Sequence, residues 1–281
     1  MRADVLLVAR GLAPSRTAAQ RLIAAGHVFA LDGIAKVALT KPSVNVHDDV
    51  QLEIEVSELD RFVSRGGLKL EGALNRVALD IKGYRCLDVG QSTGGFTDCL
   101  LQHGAAHVVG VDVGHDQLHA KFRNHSRVTC IEGTNARVLT PVLVGAACRD
   151  PALHEKEQFR EEIISEVAVS RSYKLAEARF DLIVADVSFI SLTKVLPQWP
   201  ALLRKDGHVL CLVKPQFEVG ADNLARGGIV RDESLYLTVE KTIRKACSVA
   251  GLNVLDYFDS SITGGDGNRE FFVHTKLTER A

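Results

Sequence analysis

From Arg85 onward the chain alternates short apolar runs with helix-forming stretches, and this alternation limits the possible folds more than any other feature. RCLDVG, HVVGVDVG, RVTCIEG, FDLIVADVSF and HVLCLVKP read as five strands. Each is close to continuously apolar, as strands buried on both faces are. Helical stretches separate most of them: GFTDCLLQHG, DQLHAKFRNH and SLTKVLPQWPALLRK. Repeated strand–helix succession predicts an α/β fold, a parallel sheet with helices on both faces. ESLYLTVEKTIRKACSVAG is expected to form a further helix, and LNVLDYFDS and REFFVHTKL two closing strands. Residues 140–179, with the charged and helix-prone PALHEKEQFREEIISEV, are expected to be a surface insertion between the third and fourth strands.

The N-terminal part has a different pattern. In PSRTAAQRLIAA (residues 14–25) Ala18, Ala19, Leu22 and Ile23 form an apolar stripe at helical spacing, with Arg16 and Arg21 off it and Gly26 ending it. HVFALDG alternates like a strand that turns at Asp32-Gly33, and VQLEIEV (50–56) alternates as a half-buried strand. The expected organisation is a small α+β unit over 1–60, a linker and first helix over 61–84, and a larger α/β unit over 85–281.

The formal net charge is only −1, but its distribution is uneven. Arg2, Arg10, Arg16, Arg21, Lys36 and Lys41 stand against Asp4 and Asp32 in the first 41 residues, and 48–60 are acidic. A nearly neutral chain can still present a basic face to phosphate, although an ordinary solvated surface explains the charge equally well. No run of about 18 apolar residues exists, so no membrane-spanning helix is expected. MRADVLLVARGL is broken by Arg10, so no signal peptide is expected either. The six cysteines include no C-x-x-C pair and lie mostly in apolar segments such as VLCLV. They read as small buried hydrophobes of a cytoplasmic protein rather than metal or redox ligands.

The segment from Asp88 to Thr97, DVGQSTGGFT, follows the first strand of the alternation and opens a helix. Gly90, Gly94 and Gly95 allow sharp turns and close approach of a ligand to the backbone. Asp112 ends the next strand, 22 residues after Gly90, where a carboxylate can accept both hydroxyls of a ribose. A dinucleotide-binding enzyme uses the same acid, but its G-x-G-x-x-G loop holds pyrophosphate at a helix N-terminus. This loop reads G-x-x-x-G-G, and Asp88 would repel a diphosphate while facing a cationic ammonium. The combination favours S-adenosylmethionine, which has no phosphate and carries a sulfonium and an ammonium. Ser92, Thr93 and Phe96 complete the loop's cofactor candidates. At Thr134-Asn135 the Asn135 amide could bond an adenine edge or simply make a turn.

Four further residues carry candidate chemistry. Asp186 ends the fourth strand of the alternation, in VADVSFISL, and the carboxyl ends of such strands line the ligand crevice. Lys214 ends the fifth, in CLVKPQFE, a costly place for a charge unless it is used. Lys69 lies in SRGGLKLEGAL at the junction of the units, and Glu270 in GNREFF. Singly, each reads as a surface charge or a salt-bridge partner; together they fit one site. Methylating a weakly acidic ribose hydroxyl needs a base and tight positioning. A desolvated Lys214 near Lys69 would give up its proton more readily and so serve as base. Asp186 and Glu270 would orient the lysines and the hydroxyl, and alignment supplies much of the rate. No metal is required.

SRTAAQRLIAAGHV, RFVSRGGLKLEGAL, DVGQSTGGFTDCLLQHGA, VVGVDVG, FDLIVADVSFISL, LVKPQFEVG and GNREFF together resemble the TlyA family of ribosomal RNA 2'-O-methyltransferases, whose catalytic domain is similar to FtsJ-type enzymes. The resemblance runs nearly end to end, apart from the insertion. It implies an S-four-type RNA-binding domain at the N-terminus and a Rossmann-like S-adenosylmethionine methyltransferase sheet of seven strands, the last pair antiparallel. It also implies a Lys-Asp-Lys-Glu tetrad at Lys69, Asp186, Lys214 and Glu270, with cytidine riboses of ribosomal RNA as targets. Arg10, Arg16, Arg21 and Arg65 are the candidate RNA contacts, which would make binding salt-sensitive. Two departures stand out. Gln91 replaces the usual small residue and is expected to crowd the methionine end of the pocket or add a hydrogen bond there. The insertion is longer than usual and is expected to affect RNA docking or a partner contact.

Competing readings fit less well. A base-amino methyltransferase carries Asn/Asp-Pro-Pro-aromatic after the fourth strand, whereas Val-Ser-Phe follows Asp186. A cytosine-C5 enzyme needs a cysteine nucleophile, often after proline, and no cysteine sits beside the fourth or fifth strand end. A non-catalytic ribosome-assembly factor with a vestigial pocket is disfavoured by the complete tetrad, and a pore-forming haemolysin by the lack of a membrane segment.

Overall fold

The computed structural model describes residues 1–13, 15–24, 26–32, 35–54, 61–147 and 179–278, and the chain divides into two compact units, Met1–Arg61 and Phe62–Ala281.

The first unit contains α1 (Ala3–Ala9), α2 (Arg16–Ala24), β1 (Val28–Asp32), β2 (Ala35–Ala38) and β3 (Gln51–Ile54), with the strands in the antiparallel order β2-β1-β3. The stripe of α2 enters the core, where Ala19 and Ile23 meet Leu7 of α1, Val28 and Leu39. Helix α1 arises from MRADVLLVARGL, in which Leu6 and Leu7 are both buried. Asp32 pairs with Ala35 across the hairpin; the expected turn at Gly33 and the end of VQLEIEV beyond Ile54 lie outside the described residues. Asp4 is fully buried and accepts from Arg2 (3.0 Å), Gln20 (2.9 Å) and Arg16 (3.2 Å). Chiefly the Arg2 guanidinium holds its carboxyl well below the usual carboxylate range.

The second unit contains α3 (Gly66–Val77), β4 (Arg85–Val89), α4 (Gly95–Gln102), β5 (His107–Val111), α5 (Ala120–Arg123), β6 (Val128–Ile131), α6 (Pro141–Ala147), β7 (Phe180–Ala185), β8 (Leu203–Val213), α7 (Leu235–Val249), β9 (Leu252–Asp259) and β10 (Phe271–Leu277). Its seven strands run β6-β5-β4-β7-β8-β10-β9. β4 to β8 pair in parallel, and β10 is antiparallel to both β8 and β9, as expected for the closing pair. Successive residues feed opposite faces. Leu87, Val109, Ile183 and Val209 join the core around Trp199. Cys86, Val108, Leu182 and Leu210 join the core under α3 and α4. Asp88 shares the face of Cys86, so a carboxylate enters an apolar layer.

Two expected helices come out shorter. DQLHAKFRNH yields only the single turn α5, begun by His119, whose ring nitrogen accepts the Lys121 N–H at 3.2 Å. SLTKVLPQWPALLRK breaks into 3-10 turns at Leu192–Lys194 and Leu196–Gln198 and a four-residue helix, Trp199–Leu202. Pro197 and Pro200 have no N–H to continue an i→i−4 ladder. Of the expected insertion, α6 lies in its first part, and residues 148–178 are outside the described residues. Among the described residues no helix is long and apolar enough to cross a membrane.

Candidate active site

Because β4 lies beside β7, their C-terminal ends bring Gly90 against Asp186. Asp186 N–H donates to Val89 O at 3.0 Å. Gly90 has φ 84°, and a Cβ there would stand 2.6 Å from the Asp186 carbonyl oxygen. Only glycine allows both the left-handed turn and this approach. Gly90 and Gln91 N–H groups both donate to Val111 O (2.8 and 3.2 Å), which fixes the loop across β5. A cavity of about 770 Å³ opens there, lined among others by Gly90, Ser92, Asp112, Asn135, Asp186 and Phe189. That volume suits a bound cofactor.

Asp112 organises one wall. Its Oδ2 accepts the Ser92 N–H and its Oδ1 the Gly114 N–H, both at 2.7 Å. Ser92 is held at φ 46°, and its hydroxyl donates to Gln117 Oε1 at 3.1 Å. Asn135 Oδ1 accepts the Arg137 N–H at 3.0 Å, so the amide makes a turn while also lining the cavity.

Behind the loop, Asp88 is fully buried. Its Oδ2 accepts from Thr97 Oγ1 at 2.7 Å, and Thr97 Oγ1 accepts from Gln91 Nε2 at 2.9 Å. Asp88 Oδ1 and Gln91 Oε1 have no hydrogen-bond partner. Burial pushes the Asp88 carboxyl up to about 7. Of the two expectations for Gln91, crowding the methionine end or adding a hydrogen bond, it does not enter the cavity lining, and its hydrogen bond goes to Thr97 behind the loop. Its amide turns inward over Gly110, where a Cβ would stand 1.9 Å from Gln91 Cδ.

The rest of the loop serves packing. Gly94 faces Leu118 and Phe122, and Gly95 faces Ser64 and the Gly67 nitrogen, so α3 and α4 approach closely. Phe96 is buried and stacks on Phe272 with ring centroids 6.3 Å apart. Thr93 is exposed, and its carbonyl accepts the His119 N–H at 3.2 Å. Like Asp88, the residues Thr93, Gly94, Gly95 and Phe96 stand behind or beside the lining of the cavity rather than on it.

The two lysines and two acids form two ion pairs. Lys214 Nζ lies 2.6 Å from Asp186 Oδ1 and 2.8 Å from Ser188 Oγ. Lys69 Nζ, from the first turn of α3, lies 2.6 Å from Glu270 Oε2, and both residues are buried. Phe271 stands opposite Val213, so Glu270 and Lys214 come next on neighbouring strands. Each lysine is paired with an acid, where the sequence suggested lysine next to lysine.

The candidate RNA contacts have internal partners. Arg10 donates to the carbonyls of Val50 and Asp48, Arg16 to Asp4, and Arg65 to Thr263 O at 3.0 Å. Their guanidinium groups brace their own units. The Arg21 side chain lies outside the described residues.

Among the lining residues not picked out from the sequence are Ser188, Phe189 and Phe217, with Glu218 next to Phe217. Phe189 is 91% exposed at φ 62°, and its ring lies 5.2 Å from that of Phe217. A bulky residue in this region costs on the order of 1–3 kcal/mol and persists where its surroundings force it. Among the described residues no cluster of His, Cys, Asp and Glu could hold a metal ion.

The donor set fits S-adenosylmethionine. An unpartnered carboxylate oxygen at Asp88, the glycine approach at Gly90 and the Asp112 wall match a ligand with a cationic end and a ribose.

Comparison with known proteins agrees with this geometry. The model of the FtsJ-like methyltransferase family matches residues 62–277, and that of the S4 domain matches residues 1–29. The chain is 40% identical over 281 residues, all of its length and 91% of the relative's, to a Mycobacterium tuberculosis protein named 16S/23S rRNA (cytidine-2'-O)-methyltransferase TlyA. It is 37% identical over 277 residues, 98% of its length and 99% of the relative's, to a Brachyspira hyodysenteriae protein named Hemolysin A. A solved structure of a hemolysin-named protein from Streptococcus thermophilus superposes with a TM-score of 0.66 at 36% identity, covering 99% of this chain and 89% of that one.

Proposed function

Because this chain belongs to the FtsJ-like methyltransferase family, we propose that it methylates the 2'-hydroxyl of a cytidine ribose in ribosomal RNA, with S-adenosylmethionine as methyl donor, in the cytoplasm. The observation that carries this reading is the Lys214–Asp186 pair, at 2.6 Å, on the rim of the cavity that begins at Gly90. When bound, the cofactor supplies an electrophilic methyl group on sulfur.

Asp88 would hold the cationic amino end, since an ionised carboxylate with a free oxygen is poorly tolerated in an apolar layer without a counter-charge. Asp112 would take the cofactor ribose and Asn135 would border its base. Lys214 Nζ, fixed between Asp186 and Ser188, is placed to donate to the attacking oxygen as negative charge grows on it. The hydroxyl proton passes to the Asp186 carboxylate, which takes the base role first assigned to the lysine. The Lys69–Glu270 pair braces the neighbouring rung and limits motion of the site. Phe189 offers an exposed ring on which an unstacked base can lie. The S4 match, at residues 1–29, supports RNA as the partner.

The test is methyl transfer to purified ribosomal subunits, followed by digestion to nucleosides and mass spectrometry. 2'-O-methylcytidine is expected; a methyl group on a base, or on protein alone, would refute the proposal.

A further inference from the structure

We propose that Glu218 is a positioning residue that sets the Phe189 ring for the RNA substrate; the proposal rests on the ribose-methylation reading and assigns how that site is held. The segment 186–193 is fastened twice to the segment 214–218. At one end Lys214 holds Asp186 at 2.6 Å and Ser188 at 2.8 Å. At the other end Glu218 Oε2 accepts from Ser191 Oγ at 2.6 Å, and its Oε1 accepts the Leu192 N–H at 2.8 Å. Ser191 Oγ also lies 2.7 Å from Thr193 Oγ1 and accepts the Thr193 N–H at 3.2 Å.

Phe189 lies between the two fastenings. Its left-handed φ of 62° and its 91% exposure are both unfavourable for a phenylalanine left to itself. The contact with Phe217, which immediately precedes Glu218, is 5.2 Å between ring centroids. One carboxylate therefore ties the far end of the Phe189 segment to the turn that carries the second ring. Glu218 is itself half-buried, a position that burial makes unfavourable for its charge and that pushes its carboxyl up. Glu218 does not itself line the cavity, whereas Phe189, Ser191 and Phe217 do, so it acts on the site through the two segments it joins.

The experiment compares wild type, Glu218→Ala and Glu218→Gln with ribosomal subunits as substrate, measuring kcat, KM for RNA and cofactor affinity. Glu218→Ala should raise KM for RNA about tenfold or more, with kcat and cofactor affinity within about threefold of wild type. Glu218→Gln keeps an oxygen for the Leu192 N–H and should recover most of the loss. Fluorescence anisotropy of a Phe189→Trp reporter supplies a second readout that needs no turnover. Adding Glu218→Ala should lower it in the free protein, and adding Glu218→Gln should lower it less. An unchanged KM for RNA with unchanged anisotropy would overturn the proposal, as would a fall in kcat at constant KM. If the wild type transfers no methyl to ribose, the functional reading fails while the anisotropy still decides the role of Glu218. If Glu218→Ala does not fold, Glu218→Gln and Ser191→Ala carry the same comparison, and wild-type KM and anisotropy in both would refute it.

Discussion

Replacing Asp88 by asparagine should make the free protein more stable and its cofactor binding weaker. In the native state the carboxyl titrates at about 7 instead of 3.8, because it is buried. Its ionised form at pH 8 therefore costs about 4 kcal/mol relative to the unfolded chain. The substitution removes that cost but leaves an amide N–H₂ without an acceptor where Oδ1 now has no partner. That penalty is about 1–3 kcal/mol, so the net gain is about 2 kcal/mol, or roughly 5 °C in Tm for a domain of this size. The sign with pH follows directly. Between 3.8 and about 7 the native state holds a proton that the unfolded chain has released, so stability falls as pH rises through this window. The advantage of Asp88→Asn should shrink as pH drops from 8 toward 4.5. Losing a charge-assisted contact to the cationic end costs about 1.5–3 kcal/mol, or roughly ten- to a hundredfold in affinity. Scanning calorimetry across pH and calorimetric titration with S-adenosylmethionine measure both effects. A lower Tm at pH 8 together with unchanged affinity would refute the reasoning and leave Asp88 as a Thr97 hydrogen-bond partner only.

Lys69→Met strands the buried Glu270 charge and should cost about 3–5 kcal/mol in urea unfolding, whereas Lys69→Met with Glu270→Leu should regain stability without regaining methyl transfer. Phe189→Ala should raise KM for RNA roughly five- to a hundredfold, from the loss of one stacked base, with Tm nearly unchanged because the ring is exposed; steady-state kinetics check this. His208 and His274 share a 2.8 Å hydrogen bond, and burial lowers both, His208 to about 4. Below about pH 6.5 the unfolded chain takes up protons that the native pair refuses, so the pair's contribution should be constant above 6.5 and fall as pH drops toward 4, opposing that of Asp88. His208→Gln should flatten this acid limb in thermal unfolding.

Five of the seven strands were legible because strands buried on both faces need nearly unbroken apolar runs, and each such run became a strand; β9 and β10 were read from the closing stretches LNVLDYFDS and REFFVHTKL. Helix lengths were less legible. Pro197 and Pro200 cut one expected helix into turns, and only the single turn α5 formed where Asp116 takes φ 56°. Asp186, Lys214 and Glu270 were visible as charges at strand ends and Lys69 as a charge between the units, but their partnering was not, since sequence does not say that Lys69 reaches Glu270 across 201 positions. Glycines marked the loop correctly as a place of close approach. Only Gly90 faces the cavity, however, and Gly94 and Gly95 admit neighbouring side chains and backbone instead. Gln91 looked like an obstruction because its neighbour Gly110, which leaves room for its amide, lies 19 positions away. Phe189 and Glu218 gave no signal, because one depends on backbone strain and the other on a fold-dependent contact.

The most direct test of the account is single-turnover methyl transfer by Lys214→Ala, with cofactor affinity measured on the same protein. Lys214 touches Asp186 and Ser188, and Asp186 lines the cavity while Lys214 does not. The rate of ribose methylation should therefore fall at least about a hundredfold, with S-adenosylmethionine affinity close to wild type. A variant that binds the cofactor and methylates ribosomal RNA at the wild-type rate would contradict it.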